Sequence, residues 1–255
     1  MMQAALVTGA SRGIGFGVAE ALAREGFAIA LNDLAAGPGL EEAERRIAAL
    51  GVPTVSVPFD VSDLSAHGPA LAAAEAAIGP LTTLVNNAGV GVMQRGDILD
   101  VGEASWDRCF TINSKALFFL TQAFARRLVS RPRDPALSYT IVSVTSSNAT
   151  AAAVLRTEYS ASKAAAAMAT KNFAVRLAAE GIQVFDVQPG LIETDLTAPV
   201  IEKYARMAQE GFTLIPRIGK PQDVGGVVAA LATGKLPYVT GAVIPVDGGM
   251  LVPRF

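Results

Sequence analysis

The sequence holds a single cysteine, Cys109, and a single histidine, His67. One cysteine cannot form a disulfide within the chain, which is typical of proteins from a reducing compartment such as the cytoplasm. The nitrogen and sulfur ligands that zinc usually takes are too few, so no metal site is expected. His67 has no partner motif and is expected at the surface, whereas Cys109 lies in an apolar segment and is expected in the core.

The chain also has no large excess of positive or negative charge, because 21 basic and 23 acidic residues leave a net charge of -2. This balance gives no basic surface for nucleic acid. Glycine, proline or basic residues interrupt the longest apolar segments, so neither a transmembrane helix nor a secretory leader is expected. What the chain does have is 51% hydrophobic residues over 255 positions. That amount can build one large core, and residues 1–255 are predicted to form a single domain.

Short apolar segments alternate with longer, alanine-rich segments of helical character. The short segments are continuously apolar, which is typical of parallel strands covered by helices on both faces. The pattern predicts an α/β fold, a Rossmann-type doubly wound sheet of seven strands. Predicted strands cover 4–8, 28–31, 54–58, 81–85, 139–144, 182–187 and 242–246, and predicted helices cover 13–26, 40–50, 69–78, 106–129, 159–179 and 221–232. The irregular segments 148–158 and 194–219 follow strands, at the sheet edge where such folds bind ligands.

A glycine-rich turn, Thr8–Gly15, joins the first predicted strand to the first predicted helix. Its GxxxGxG pattern is a variant of the dinucleotide-binding fingerprint, in which glycines let the backbone approach a pyrophosphate. The free N–H groups and positive dipole end of the helix would face the phosphates. Glycines that only permit helix–strand packing are the alternative. The residues expected at the cofactor are Gly9, Ser11, Arg12, Gly13, Ile14 and Gly15.

Asp33 follows the second predicted strand, 24 residues after Gly9. An acid about 20 residues after the fingerprint can accept hydrogen bonds from the adenosine ribose, and it would repel a 2′-phosphate. Arg12 opposes this preference, because a guanidinium could reach a 2′-phosphate. Asp33 therefore favours NAD(H), with NADP(H) possible, unless Asp33 is merely a solvated loop charge.

Small and amide residues stand at the ends of the third and fourth predicted strands. They can line an adenine pocket and brace the sheet, although ordinary turn chemistry also accounts for them. The candidates are Asp60, Val61, Asn87, Ala88 and Gly89.

Tyr159 and Lys163 are four residues apart at the start of a predicted long helix, so their side chains share one face. A free phenol has a pKa of about 10 and is a poor base near neutrality. A neighbouring ammonium group and a positively charged nicotinamide would favour the phenolate. The pair therefore predicts a catalytic acid/base, with a solvated helix face as the alternative.

Ser146 follows the fifth predicted strand, 13 residues before Tyr159, and could hold a substrate carbonyl beside the phenol. Ser147 is the alternative to Ser146. Asn113 lies inside an otherwise apolar helix, where an amide is costly unless it is hydrogen-bonded. Asn113 either anchors a water chain to Lys163 or bonds to neighbouring backbone.

Taken together, these motifs resemble the classical short-chain dehydrogenase/reductase family over essentially the whole chain. The motifs are Thr8–Gly15, Asn86-Asn87-Ala88-Gly89, Asn113, Ser146, Tyr159–Lys163, Pro189-Gly190 and Val246-Asp247-Gly248-Gly249. The resemblance implies that the tyrosine moves the alcohol proton, the serine positions the carbonyl, the lysine binds the nicotinamide ribose and the asparagine holds a relay water. It also implies cofactor contacts at Pro189, Gly190, Ile192 and Thr194, a substrate lid over about 194–219, beginning near Leu196, and a homotetramer formed through the two long helices.

Within the family, the 3-oxoacyl-(acyl-carrier-protein) reductase-like branch is the nearest match. Members that make fatty acids usually prefer NADP and lack an acid at the position of Asp33. A catabolic sugar, polyol or hydroxy-acid dehydrogenase is therefore the main alternative for this small-molecule enzyme, and a non-catalytic dinucleotide sensor is a further one. Arg156, just before the predicted catalytic helix, either meets an anionic substrate or lies on the surface or in a subunit contact.

Overall fold

The computed structural model describes residues 2–195 and 197–254. Seven parallel strands form one sheet in the order β3-β2-β1-β4-β5-β6-β7. This confirms the predicted doubly wound, Rossmann-type α/β fold. The strands are β1 (Ala4–Val7), β2 (Ala28–Leu31), β3 (Thr54–Ser56), β4 (Thr83–Asn86), β5 (Thr140–Val144), β6 (Gln183–Pro189) and β7 (Val243–Val246).

In the part of the chain that the structure describes, eight α-helices lie between the strands. They are α1 (Gly13–Arg24), α2 (Pro38–Ala48), α3 (His67–Ile78), α4 (Glu103–Phe110), α5 (Leu117–Val129), α6 (Thr157–Leu177), α7 (Ile201–Met207) and α8 (Pro221–Ala232). None of the described helices is both long and apolar enough to cross a membrane.

The inner strands β1, β2, β4, β5 and β6 send alternate side chains to two separate cores. Ala5 and Val7 pack in the core beneath α1, α2 and α8, whereas Ala4 and Leu6 pack in the core beneath α3, α5 and α6. Fully burying an aliphatic side chain such as Leu6 stabilises the fold by roughly 1.5–3 kcal/mol. Burial on both faces is why these strands carry no polar alternation.

The strand order reverses at β1, which pairs with β2 on one side and β4 on the other. The chain leaves β1 and β4 toward opposite faces, so a crevice opens between the loops that follow these strands. Ligands of open α/β sheets bind in such a crevice, at the carboxyl ends of the strands. The glycine-rich turn follows β1, and Asn87 to Gly89 follow β4, so the sheet brings two predicted motifs to this crevice.

The structure corrects two local predictions. The helix expected over 106–129 is α4 and α5 with a π-helical turn, Thr111–Ala116, between them. The irregular segment 194–219 contains α7, and Leu196, where the lid was predicted to begin, lies outside the described residues.

The only histidine and the only cysteine of the sequence are both buried. His67 was expected at the surface, and that was wrong, because it opens α3 with its Nε2 at 2.8 Å from the carbonyl oxygen of Val61. A ring nitrogen that meets a backbone carbonyl can be buried without losing its hydrogen bond. Cys109 lies in the interior as predicted, and burial raises the pKa of its thiol.

Candidate active site

The turn after β1 is held against the end of β4 by side chains of both. The Thr8 hydroxyl accepts hydrogen bonds from the backbone N–H groups of Asn87 and Ala88, each at 3.0 Å. The Asn87 amide donates in return to the carbonyl oxygens of Thr8 and Gly9 at 2.9 and 3.1 Å. These bonds satisfy backbone groups at the two strand ends and fix the floor of the crevice.

The glycines of this turn leave its surface bare. Gly9 and Gly13 have φ angles of 62° and 54°, in the left-handed region that favours glycine. A Cβ on Gly15 would lie 2.0 Å from the carbonyl oxygen of Gly9, so no larger residue fits there. The N-cap residue of α1, Arg12, makes no side-chain capping bond, so the first N–H groups of the helix stay free for a ligand. A pyrophosphate fits this bare turn with its free N–H groups.

Asp33 lies two residues beyond β2 and its carboxylate faces the turn. It accepts hydrogen bonds from the hydroxyl and the backbone N–H of Ser11, and from the N–H of Leu34 at 2.7 Å. Arg12 is turned away from Asp33, and its Nη1 pairs with Asp195 at 3.0 Å. Asp33 and Arg12, which would favour different cofactors, therefore bind different partners in the structure.

A cavity of about 490 Å³ opens beside the turn, a size common for small-molecule sites. Ser146, Tyr159 and Lys163 all line it, and Ser147 lies beside Ser146 in the same wall. The Ser146 hydroxyl accepts a hydrogen bond from the N–H of Asn148 at 3.1 Å, which holds it at the end of β5. Three of the four side chains predicted to be catalytic thus share one cavity.

Lys163 is buried behind the phenol ring. Its ammonium group donates to the carbonyl oxygen of Val144 at 3.0 Å and lies 5.8 Å from the centroid of the Tyr159 ring. A Cβ on Gly89 would lie 3.4 Å from the Lys163 ammonium and 3.1 Å from the Asn113 side-chain oxygen. Gly89 therefore marks where the crevice meets Lys163 and Asn113.

Asn113 is the fourth side chain, and it lies in the π-helical turn between α4 and α5. Its oxygen accepts from the N–H of Val90 at 2.9 Å, and its amide nitrogen donates to the Val90 carbonyl and the Ser162 hydroxyl, each at 3.0 Å. Both N–H groups of the amide thus have protein partners, and the side chain joins the loop after β4 to α6. Single π-turns inside helices are frequent at functional sites.

The remaining predicted cofactor residues divide into two groups. Ile14, Pro189, Gly190, Ile192 and Thr194 line the cavity. Asp60 and Val61 do not line it. They lie beyond the end of β3 at Ser56, and the Asp60 carboxylate accepts hydrogen bonds from the N–H and hydroxyl of Ser62. Across the described chain, no cluster of three or more His, Cys, Asp or Glu side chains could hold a metal ion.

The C-terminal motif is followed by Met250 and Leu251, which line the cavity. The buried Asp247 carboxylate accepts from the N–H groups of Gly249 and Leu251, at 2.8 and 3.1 Å. A Cβ on Gly190 would lie 2.7 Å from Cβ of Asp247, so the chain after β6 lies directly against the chain after β7.

Several apolar or aromatic residues of the cavity wall were not singled out by sequence patterns, and five of them lie in two segments of the chain. They come from the segment around α7 and from the C-terminus, where no periodicity or motif announces a ligand contact. They are Tyr204, Met207, Phe212, Met250 and Leu251.

Comparisons with known proteins find relatives that match nearly the whole chain. Residues 9–251 match a family described as enoyl-(acyl carrier protein) reductase. The chain is 33% identical over 251 residues to 5-keto-D-gluconate 5-reductase of Escherichia coli, covering 97% of this chain and 94% of that protein.

Two solved structures are similar over nearly the whole chain. A 3-oxoacyl-[acyl-carrier protein] reductase from Brucella melitensis in complex with NAD superimposes with a TM-score of 0.96 at 33% identity, covering 100% of this chain and 99% of that one. The structure of a putative 2-deoxy-D-gluconate 3-dehydrogenase from Agrobacterium tumefaciens with bound NADP superimposes with a TM-score of 0.87 at 32% identity, covering 98% of this chain and 97% of that one.

Proposed function

The chain belongs to the short-chain dehydrogenase/reductase family and interconverts a ketone and a secondary alcohol, and from this we propose that Tyr159 is its acid/base. The observation that carries the proposal is the shared cavity wall of Tyr159, Ser146 and Lys163 beside the bare glycine turn. The cofactor of this family is NAD or NADP, and when bound it supplies or accepts the hydride at C4 of its nicotinamide.

The three side chains divide the remaining work between them. The Tyr159 phenol donates its proton to the carbonyl oxygen during reduction and takes it back during oxidation. Ser146 positions that oxygen by a hydrogen bond. Lys163 is buried, its ammonium group lies 5.8 Å from the centroid of the Tyr159 ring, and it can bind the nicotinamide ribose.

Asn113 belongs to the proton path in this proposal, through its backbone. Its side chain is held by Val90 and Ser162, and we assign the water that leads to Lys163 to the backbone carbonyl oxygen of Asn113. A π-helical turn shifts the hydrogen-bond pattern of a helix and can release such a carbonyl.

The structure supports NAD(H) as the preferred cofactor within this proposal. The Asp33 carboxylate faces the glycine-rich turn, where it could accept a hydrogen bond from an adenosine ribose hydroxyl, while Arg12 is paired with Asp195. We expect the wild type to favour NADH over NADPH by about tenfold or more in kcat/KM. Asp33→Ala should reduce the preference to about twofold, whereas Asp100→Ala, which removes an exposed carboxylate elsewhere, should leave it unchanged. A wild-type preference for NADPH would contradict the proposal.

The remaining cofactor contacts are part of the same proposal. Gly9, Ser11, Gly13, Ile14 and Gly15 would hold the pyrophosphate at the α1 N-terminus. The adenine end would be held by residues that follow β3 and β4: Asp60, Val61, Asn87, Ala88 and Gly89. The nicotinamide end would be held by residues at and after the end of β6: Pro189, Gly190, Ile192 and Thr194. Residues 194–219 would form a lid, since Tyr204, Met207 and Phe212 line the cavity from this segment.

Two substrate classes follow from the relatives: 3-oxoacyl thioesters, and sugar acids or other hydroxy acids. A panel of ketones and secondary alcohols from both classes, assayed by the absorbance of the reduced cofactor, tests the reaction itself. We expect turnover of at least one of them. No turnover on the whole panel with either cofactor would contradict the reaction.

A homotetramer completes the proposal. Phe118 on α5 and Met168 and Val175 on α6 expose apolar side chains along the two long helices, and Val175 is 82% exposed. Exposed apolar patches of this kind mark association surfaces.

The free, buried thiol of Cys109 is compatible with a reducing compartment such as the cytoplasm.

A further inference from the structure

One cationic side chain in the cavity has no role in the chemistry described above. Arg156 is half-buried, lines the cavity and is the N-cap residue of α6, three residues before Tyr159. Its guanidinium carbon lies 5.6 Å from the centroid of the Tyr159 ring. The positive charge therefore stands beside the predicted reaction centre.

The guanidinium group has unused hydrogen-bonding capacity. Over residues 2–195 and 197–254, no carboxylate pairs with Arg156 and no acceptor takes a hydrogen bond from its side chain. By contrast, Arg127, Arg131 and Arg217 all pair with carboxylates. A guanidinium presents five donors in a planar fork that suits carboxylate and phosphate groups.

The charges around the cavity also favour an anionic ligand. Among the described residues that line it, Arg156 and Lys163 are the charged ones, and neither Asp nor Glu is present. The neighbouring Glu158 is buried outside the lining and accepts a hydrogen bond from Ser105. The 21-residue helix α6 begins at this wall without a side-chain capping bond, which adds the positive end of a helix dipole.

We propose that Arg156 binds an anionic group of the substrate, a carboxylate or a phosphate, close to the carbon that reacts. The inference rests on the proposed function, because its geometry is measured from Tyr159. An anion held by Arg156 must lie within a few bonds of that carbon, since the guanidinium is so near the phenol ring. The preferred substrates are therefore compact oxo or hydroxy acids, or their phosphate counterparts. A carrier-bound thioester has no charge at that distance from its ketone.

Matched pairs of substrates test this assignment. The carboxylate probes are 3-oxobutanoate, 4-oxopentanoate, 5-oxohexanoate and 5-keto-D-gluconate, each assayed beside its neutral amide. Dihydroxyacetone phosphate beside dihydroxyacetone is the phosphate probe. The measured quantity is the anion preference, the ratio of kcat/KM for the anion to kcat/KM for its neutral partner. A ratio cancels any effect that a substitution at Arg156 has on Tyr159 itself.

We expect the wild type to prefer at least one anion by about tenfold or more, and the probe that shows it distinguishes carboxylate from phosphate. In Arg156→Gln the ratio should fall to within about twofold of unity, and Arg156→Lys should restore part of it. Arg95→Gln, which removes an exposed charge outside the cavity, should keep the wild-type ratio.

Three results would overturn the inference. They are a wild type that reduces the neutral partners as well as the anions, an anion preference that survives in Arg156→Gln, and a loss of preference that Arg95→Gln shares. In each case ketone reduction still occurs, so the proposed function stands. If no ketone is reduced by the wild type with either cofactor, the proposed function fails and this inference fails with it.

Discussion

Asp186 lies on β6, and its carboxyl group is buried between two elements of the cavity wall. Thr145 donates to one carboxyl oxygen, and the Gln188 amide donates to the other at 2.8 Å. The Thr150 hydroxyl donates to the Gln188 oxygen at 3.1 Å and extends the network to the loop after β5. Burial raises the pKa of Asp186, although both hydrogen bonds oppose the rise.

Replacing this carboxyl group with an amide should stabilise the protein at high pH. Because the native state holds the Asp186 proton more tightly than the unfolded state, wild-type stability falls as pH rises from the unfolded pKa, about 4, through the folded one. Asp186→Asn has no such pH-dependent loss of stability. A rotated Gln188 amide can accept a hydrogen bond from the new side-chain amide. We expect a gain of about 1 kcal/mol at pH 8 that shrinks toward pH 5.

Urea unfolding at several pH values measures this difference. Asp100→Asn, at an exposed aspartate, should show no comparable pH-dependent gain. A difference between Asp186→Asn and the wild type that stays constant from pH 5 to pH 8 would show that burial of the charge is not its cause.

At the scale of elements, α1 and α8 pack closely through glycine. A Cβ on Gly225 of α8 would lie 2.3 Å from the carbonyl oxygen of Gly17 of α1, whereas a Cβ on Gly226 would meet nothing within 4 Å. The contact is with backbone, which cannot move aside without separating the helices. The two neighbouring glycines thus form a natural matched pair.

We expect Gly225→Ala to destabilise the protein by about 1–3 kcal/mol through overpacking. Gly226→Ala should be neutral or stabilising by up to about 1 kcal/mol, because alanine favours the helix. Thermal and urea unfolding of both variants provide the measurement. Equal effects of the two substitutions would mean that helix contact at Gly225 does not limit stability.

The helices and strands also show how much of the fold could be predicted from the sequence. Continuous apolar segments predicted all seven strands, and β2 and α8 begin and end where expected. The π-helical turn was missed because its sequence, Thr111–Ala116, has the ordinary pattern of a helix, and a π-helix differs from it only in the backbone hydrogen-bond pattern. The helix α7 was missed because it is short and lies in an otherwise irregular segment.

The residues of the candidate site were likewise predicted only in part. Tyr159, Lys163 and Ser146 were predicted because helical spacing and strand ends place them together, and the structure does bring them to one cavity. Met250 and Leu251 were not predicted, because their place depends on the contact of Gly190 with Asp247 between distant parts of the chain. The buried position of His67 depends likewise on a backbone carbonyl that no spacing rule indicates.

For the whole molecule, the proposed tetramer predicts a sedimenting species of about four times the 26.3 kDa chain. Val175→Asp places a charge on the exposed apolar face of α6 and should reduce that mass, because desolvating a carboxylate in an interface is costly. Leu34→Asp, at another exposed apolar residue away from both long helices, should not change it. A wild type that sediments as a stable monomer would contradict the tetramer.

The central claim is that the Tyr159 phenol transfers the proton of the reaction, and one comparison of variants tests it most directly. Tyr159→Phe removes only the phenolic oxygen from the cavity, and Tyr238→Phe removes the same atom from a fully exposed side chain. The measurement is kcat/KM on a ketone that the wild type reduces, together with the Kd for the cofactor. We predict that Tyr159→Phe loses about a hundredfold or more in kcat/KM while its cofactor Kd stays within about threefold, and that Tyr238→Phe matches the wild type. Near-wild-type turnover by Tyr159→Phe would contradict the account.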